Sequence, residues 1–247
     1  MKKDLVVAVV VWAVVTAASL VGAAIMDPFP TAGADAAKTV DDAFRVMTYM
    51  AAPIFGLVIA GLVTSVVTHR SHGRPVADGE AIRGTNAVPK VWFGASTALA
   101  AVVMVFPGLT GLAELRRDQT ADLQVNVTGA RWLWMVEYPE QGVTVTGASE
   151  IVLPRGERVQ FNITAPAADV LHSFWIPAFR LKLDAVPGQT GRVFLTPTEL
   201  GDGTTDIAYR LQCAELCGLM HSRMVTPVRV VEPEEFERWV ADRKAVK

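Results

Sequence analysis

Three apolar runs without a single charge occupy much of the first 115 residues, and they constrain the fold more than anything after them. The first extends from Leu5 to Met26, the second from about Val46 to Thr68, and the third from about Val91 to Ala113. A helix needs about 20 apolar residues to cross a bilayer, and each run is that long. A buried core helix is the plain alternative, but uncharged runs of this length favour the membrane. The first run follows Lys2 and Lys3, as the core of a secretory signal would. Its apolar part exceeds the ~7–15 residues of such a core, and Ala23-Ala24-Ile25-Met26 is only a loose cleavage site. It is expected to remain as a helix. Pro107 and Gly108 predict a kink near the outer end of the third run.

Charge then sets the orientation. Lys2, Lys3 and the loop around His69, Arg70, His72, Arg74, Arg83 and Lys90 carry a basic excess, whereas the Pro/Gly/Ala-rich loop Asp27 to Asp42 is net acidic. The positive-inside rule places the first two in the cytoplasm and the third outside, so everything after the third span also lies outside. Both cysteines of the chain fall in that part, in an oxidising compartment where a disulfide competes with metal binding. The net charge of −2 leaves no footprint for nucleic acid.

After Glu114-Leu-Arg-Arg-Asp118 the pattern changes to short β-prone runs separated by Gly, Pro and Asp. Leu123–Thr128 alternates apolar and polar, and Trp132–Tyr138 is aromatic. Val143–Thr146, Arg158–Thr164, Val170–Ile176, Arg192–Thr196, Asp206–Gln212 and Met224–Val231 follow. Seven or more strands at this spacing predict a β-sandwich or barrel. Residues 233–244 open with Pro, place acids in the first turn and bases in the last, and predict a surface helix burying Phe236, Trp239 and Val240. The expected architecture is a membrane-anchor region over 1–115, with two or three helices at about 5–26, 46–68 and 91–113, followed by an all-β sandwich domain over 116–247 with a short C-terminal helix.

Within that domain Cys213, Cys217, His221 and Met224 crowd one stretch between two strands, and Gly218 permits the turn this needs. The domain's one other histidine is His172, on an earlier strand. Sulfur and imidazole donors suit copper or zinc better than magnesium or calcium. Three readings compete. A Cys213–Cys217 disulfide would close a very small loop and gain little chain entropy. Zinc suits a Cys2His2 set, but a thioether at Met224 argues for copper. A mononuclear blue-copper site uses one cysteine, so two thiolates with two histidines suggest two copper ions sharing sulfur.

At these residues the chain resembles a known family. Cys213-Ala-Glu-Leu-Cys217-Gly-Leu-Met-His221-Ser-Arg-Met224 is similar to the copper A loop of cytochrome c oxidase subunit II. Val170-Leu-His172-Ser-Phe-Trp-Ile-Pro177 with Arg180-Leu-Lys-Leu-Asp184-Ala-Val-Pro187-Gly188 resembles its upstream signature, and Gly129-Ala-Arg-Trp132-Leu-Trp134-Met-Val-Glu137-Tyr138-Pro139 its aromatic stretch. The resemblance covers about residues 44 to 240. It implies a dinuclear copper A centre held by His172, Cys213, Cys217, His221, Met224 and the backbone carbonyl of Glu215. It also implies that the Glu215 carboxylate helps hold a magnesium ion against the catalytic subunit, and that electrons arrive through Trp132. Asp169 and Asp184 match acidic positions near the surface where the donor docks; their bland reading is solvated loop carboxylates. The implied role is that of the subunit of a haem-copper terminal oxidase that accepts single electrons from a cytochrome c-type donor. It passes them to haem in subunit I, where oxygen is reduced to water with proton translocation. The chain itself would bind no haem and would sit in a bacterial-type cell (inner) membrane with its copper domain outside.

Some residues depart from the family pattern. Members usually have two membrane helices, and this chain offers three runs. The glutamate many carry before the second helix is missing from Asn86-Ala-Val-Pro-Lys90-Val-Trp92. No Cys-x-x-Cys-His occurs, so the donor must be a separate protein. The family's Pro-Gly-Arg reads Pro187-Gly188-Gln189. Two rival readings stand beside the leading one: the copper A subunit of a nitric oxide reductase, and a membrane-anchored thiol or copper-delivery protein.

Overall fold

The computed structural model describes residues 2–68, 73, 84–85, 87–147 and 149–245. Most of the basic loop used above to set orientation, and Asn86, lie outside the described residues. The chain divides into two compact units, residues 1–28 with 42–112 and residues 29–41 with 113–247.

In the first unit, three helices are long and apolar enough to cross a membrane. These are α1 (Lys2–Ile25), α2 (Asp35–Thr68) and the helix that begins as α3 (Ala87–Val103) and resumes as α4 (Thr110–Leu115). A wider π-type turn, Met104–Leu109, joins the last two, and Phe106 within it leaves helical geometry (φ −135°, ψ 120°). Pro107 has no N–H to give and its ring disfavours a helical residue before it, which locates the kink. Helices α1 and α2 pack closely. The buried residues Ala52, Gly56 and Ala60 recur every fourth position along α2. A Cβ on Gly56 would sit 2.4 Å from Thr16 Oγ1. Beside this contact the Trp12 indole donates to the Pro53 carbonyl at 2.9 Å. Small residues admit such an approach where lipid offers no hydrophobic drive for helices to pair.

Helix α2 begins well before its apolar run. Its first turns carry Asp41, Asp42 and Arg45, which hydropathy alone counts as loop. Residues 29–41, read from sequence as part of the acidic loop Asp27 to Asp42, instead belong to the β-rich unit. The Gly33 amide donates to the Ala178 carbonyl (2.8 Å), the Thr198 amide to the Gly33 carbonyl (2.9 Å), and the Asp35 amide to the Thr196 carbonyl (3.0 Å). Arg180 grips the buried Asp41 with Nε at 2.7 Å and Nη2 at 3.0 Å. These partners lie more than 130 residues apart in sequence, so no local pattern could announce them.

The second unit is a two-sheet sandwich. One sheet orders β3-β2-β1-β5-β8 from β1 (Leu123–Ala130), β2 (Leu133–Tyr138), β3 (Val143–Thr146), β5 (Val159–Thr164) and β8 (Gly191–Leu195). The other orders β4-β11-β10-β6-β7 from β4 (Ile151–Pro154), β6 (His172–Trp175), β7 (Lys182–Ala185), β10 (Arg210–Cys213) and β11 (Val225–Val231), with β9 (Gly201–Asp202) paired to β11. The period-two alternation decides what faces inward. Leu123, Val125 and Val127 of β1, Trp134, Val136 and Tyr138 of β2, and Val159, Phe161 and Ile163 of β5 are all buried. Helix α5 (Pro233–Ala245) buries Phe236, Trp239 and Val240 as predicted and packs Trp239 edge-on to Tyr138, centroids 5.3 Å apart. Strands β4, β7 and β9 were not anticipated; β4 is buried along its whole length and shows no alternation.

The Tyr138 hydroxyl donates to the Val152 carbonyl (2.8 Å) and accepts from the Val152 amide (3.1 Å). Burial raises its phenol above the ordinary tyrosine range. Tyr138→Phe strips both backbone groups of their partner and is expected to cost about 1–3 kcal/mol. Because the folded phenol stays neutral, wild-type stability falls as pH rises above about 10, where the unfolded tyrosine ionises. The variant should lose part of that alkaline slope. Denaturant unfolding of the detergent-purified protein at several pH values checks both effects.

Candidate metal centre

Strands β10 and β11 are adjacent and antiparallel, so the chain between them must turn back at one end of the sandwich. The Cys213 amide donates to the Met224 carbonyl at 3.1 Å and closes that loop. Neighbouring strand β6 reaches the same end and places His172, its first residue, beside the loop. Inside the loop Gly218 adopts φ +117°, a conformation other residues avoid, and a short 3-10 turn, His221–Arg223, returns the chain to Met224.

This folding brings the predicted donors together. Cys213 Sγ lies 3.7 Å from Cys217 Sγ. His172 Nδ1 stands 3.9 Å from the first sulfur and His221 Nδ1 3.5 Å from the second. Met224 Sδ is 3.9 Å from Cys217 Sγ, and the Glu215 carbonyl is 3.1 Å from Cys213 Sγ. Each thiol therefore has one imidazole nitrogen beside it and one weak donor near it. His172 and Met224 are fully buried and the cysteines nearly so. His172, Cys213 and Cys217 form the one group of three or more histidine, cysteine or carboxylate side chains placed to hold a metal ion among the described residues. The two sulfurs stand at non-bonded distance as free thiols. The donor set is soft and dry, and it suits copper.

The remaining expected residues divide. Trp132 sits at the tip of the two-residue β1–β2 turn and donates its indole N–H to the Cys217 carbonyl at 3.0 Å. A Cβ on Gly218 would come 3.3 Å from that ring. The Glu215 side chain is exposed and joins no metal-ligating group among the described residues. Asp184 is exposed on β7, opposite Ser173. Asp169 is not the solvated loop carboxylate of the bland reading. Its side chain is 11% exposed and pairs with Arg131 at 2.7 Å. Burial raises its carboxyl, yet hydrogen bonds from the Val170 and Arg131 amides and the Arg131 charge hold it below the usual range.

Two residues that shape the site escaped notice as site residues. Trp134 donates to the Met224 carbonyl at 3.3 Å and stands edge-on to His172, centroids 6.3 Å apart. Gly129 leaves space that a side chain would take from both rings: a Cβ there would lie 2.9 Å from Trp134 and 3.2 Å from His172. Strand alternation from Val136 back to Trp134 was the signal available for the first.

Comparison with known proteins assigns the chain to a family. What the fold and site define is a cupredoxin-like domain with a buried soft-metal loop, carried on apolar helices. A family model for the cytochrome C oxidase subunit II periplasmic domain matches residues 143–231. The heme-copper oxidase subunit 2 of Aeropyrum pernix is 32% identical over 207 residues, covering 78% of this chain and 85% of that protein. The cytochrome c oxidase subunit 2 of Thermostichus vulcanus is 28% identical over 273 residues, covering 88% and 79%. Among solved structures, the periplasmic domain of subunit II of cytochrome oxidase (CoxB) of Bradyrhizobium japonicum is 31% identical and covers 51% of this chain and 96% of that one, with a TM-score of 0.46. The chain belongs to the cytochrome c oxidase subunit II family, the second subunit of haem-copper oxidases.

Two outcomes test the geometry. Gly129→Ala is expected to weaken binding of added copper ion by about 10–100-fold, the range typical for disturbed support of a ligand, while Gly61→Ala, whose Cβ meets nothing within 4 Å, leaves it unchanged. Calorimetric titration of the purified chain distinguishes them. Burial and the adjacent Cys213 thiol also push the Cys217 thiol well above its ordinary value. Metal must therefore displace a proton there, so apparent affinity should rise by about tenfold per pH unit for each proton released. A flat profile between pH 6 and 8 (roughly, around neutrality) would mean that uptake displaces no thiol proton.

Proposed function

We propose that this chain is the subunit of a haem-copper terminal oxidase that accepts single electrons from a cytochrome c-type donor and hands them to haem in the catalytic subunit, where oxygen is reduced. The observation that carries the reading is the paired arrangement of donors: two thiols 3.7 Å apart, each flanked by an imidazole nitrogen. His172, Cys213, Cys217, His221 and Met224 would hold a dinuclear copper A centre with the Glu215 carbonyl. Bound there, the centre would supply a one-electron carrier, with Met224 and the Glu215 carbonyl as weak ligands that would tune its potential.

The protein's own groups do the rest. The core residues around His172 and Met224 keep water from the donors, so little solvent has to reorganise when charge changes. Trp132 covers the loop from the hairpin tip and contacts it through the Cys217 carbonyl, a position suited to receiving electrons from outside. Residues 1–28 with 42–112 would act as the membrane anchor, and residues 29–41 with 113–247 as the extracytoplasmic copper domain. The partner's oxygen chemistry and proton translocation follow from membership of such a complex.

Purified oxidase containing this chain should hold two coppers here and show a purple, mixed-valence absorption; one copper, or zinc, overturns the assignment. In the same complex Trp132→Phe should slow electron uptake from the donor at least tenfold while copper content stays at two. Unchanged uptake would remove Trp132 from the route.

A further inference from the structure

We infer that Asp169 is a positioning residue for His172, and that with Arg131 it ties the ligand strand to the hairpin tip bearing Trp132. The inference rests on the copper reading above and gives Asp169 a different task from donor docking. His172 turns Nδ1 toward Cys213 Sγ. When Nδ1 binds a metal, the neutral ring must carry its proton on Nε2. That Nε2 atom is buried and has no hydrogen-bond partner. Asp169 Oδ1 stands 3.7 Å from it. This is long for a hydrogen bond but places a full negative charge against an N–H dipole in a dry setting. A metal-ligating histidine commonly presents its second nitrogen to a carboxylate, which fixes the tautomer and ring orientation.

The carboxylate is itself held from several sides. Oδ1 accepts from the Val170 amide at 2.7 Å and Oδ2 from the Arg131 amide at 3.1 Å. The Arg131 guanidinium closes the outer side at 2.7 Å. Arg131 immediately precedes Trp132, so one carboxylate fixes the backbone of the electron-receiving turn and faces the ligand imidazole. This carboxylate is 11% exposed and already paired.

The test uses the purified oxidase complex with wild-type chain, Asp169→Asn and Asp169→Glu. Asparagine keeps the size and the bond to the Val170 amide while removing the charge. Losing a negative charge beside the centre disfavours its more positive, oxidised state. Asp169→Asn should therefore raise the copper reduction potential and shift the hyperfine signals of the His172 ring, with two coppers retained. Asp169→Glu should return the potential toward the wild-type value. A potential and ring signals identical to wild type in Asp169→Asn overturn the inference. A wild-type complex without two coppers overturns the copper reading and this inference with it.

Discussion

The hydrogen bond from the Cys213 amide to the Met224 carbonyl is the constraint on which the site depends. It ends one strand and begins the next, so all soft donors of the loop must lie within one closed turn at the sandwich end. Sulfur and imidazole groups gain little from crowding one another without a metal. Their proximity is imposed by the sheet on either side, by Trp134 bound to the same Met224 carbonyl, and by Trp132 bound to the Cys217 carbonyl. The fold thus meets the cost of assembling the donors before any ion arrives.

Much of this was legible in the sequence, and the reasons differ between parts. Apolar length revealed three helices because the membrane demands it, and Pro107 revealed the kink. Alternation located β1, β2 and β5 because one face of each is buried. It failed for β4, buried on both faces, and for the short β7 and β9. The donors were legible because cysteine, histidine and methionine rarely cluster by chance. Asp169 was read as a surface carboxylate because sequence displays charge but not the partner that cancels it, here Arg131, 38 residues earlier.

Residues 29–41 are the least foreseeable part. They lie between two apolar runs of the sequence and read as a loose acidic connection. Yet Ala34, Ala36 and Ala37 are buried, and Asp41 is clamped by Arg180. Arg180 takes a left-handed backbone conformation (φ 58°) that a side-chain-bearing residue normally avoids. The strain is offset by the bidentate pair with Asp41 and by bonds to the carbonyls of Thr31 and Pro177. A glycine would suit that backbone and forfeit the clamp.

The bond between the Trp132 indole and the Cys217 carbonyl carries one more consequence. If electrons enter at that ring, as proposed, the path inward runs across the hydrogen bond, into the carbonyl, and through Cα and Cβ to Sγ. The hydrogen bond is the one non-covalent step on that path. Gly218 keeps it short, since a larger residue would lift the ring from the loop. The smallest side chain in the neighbourhood thereby sets the width of the barrier.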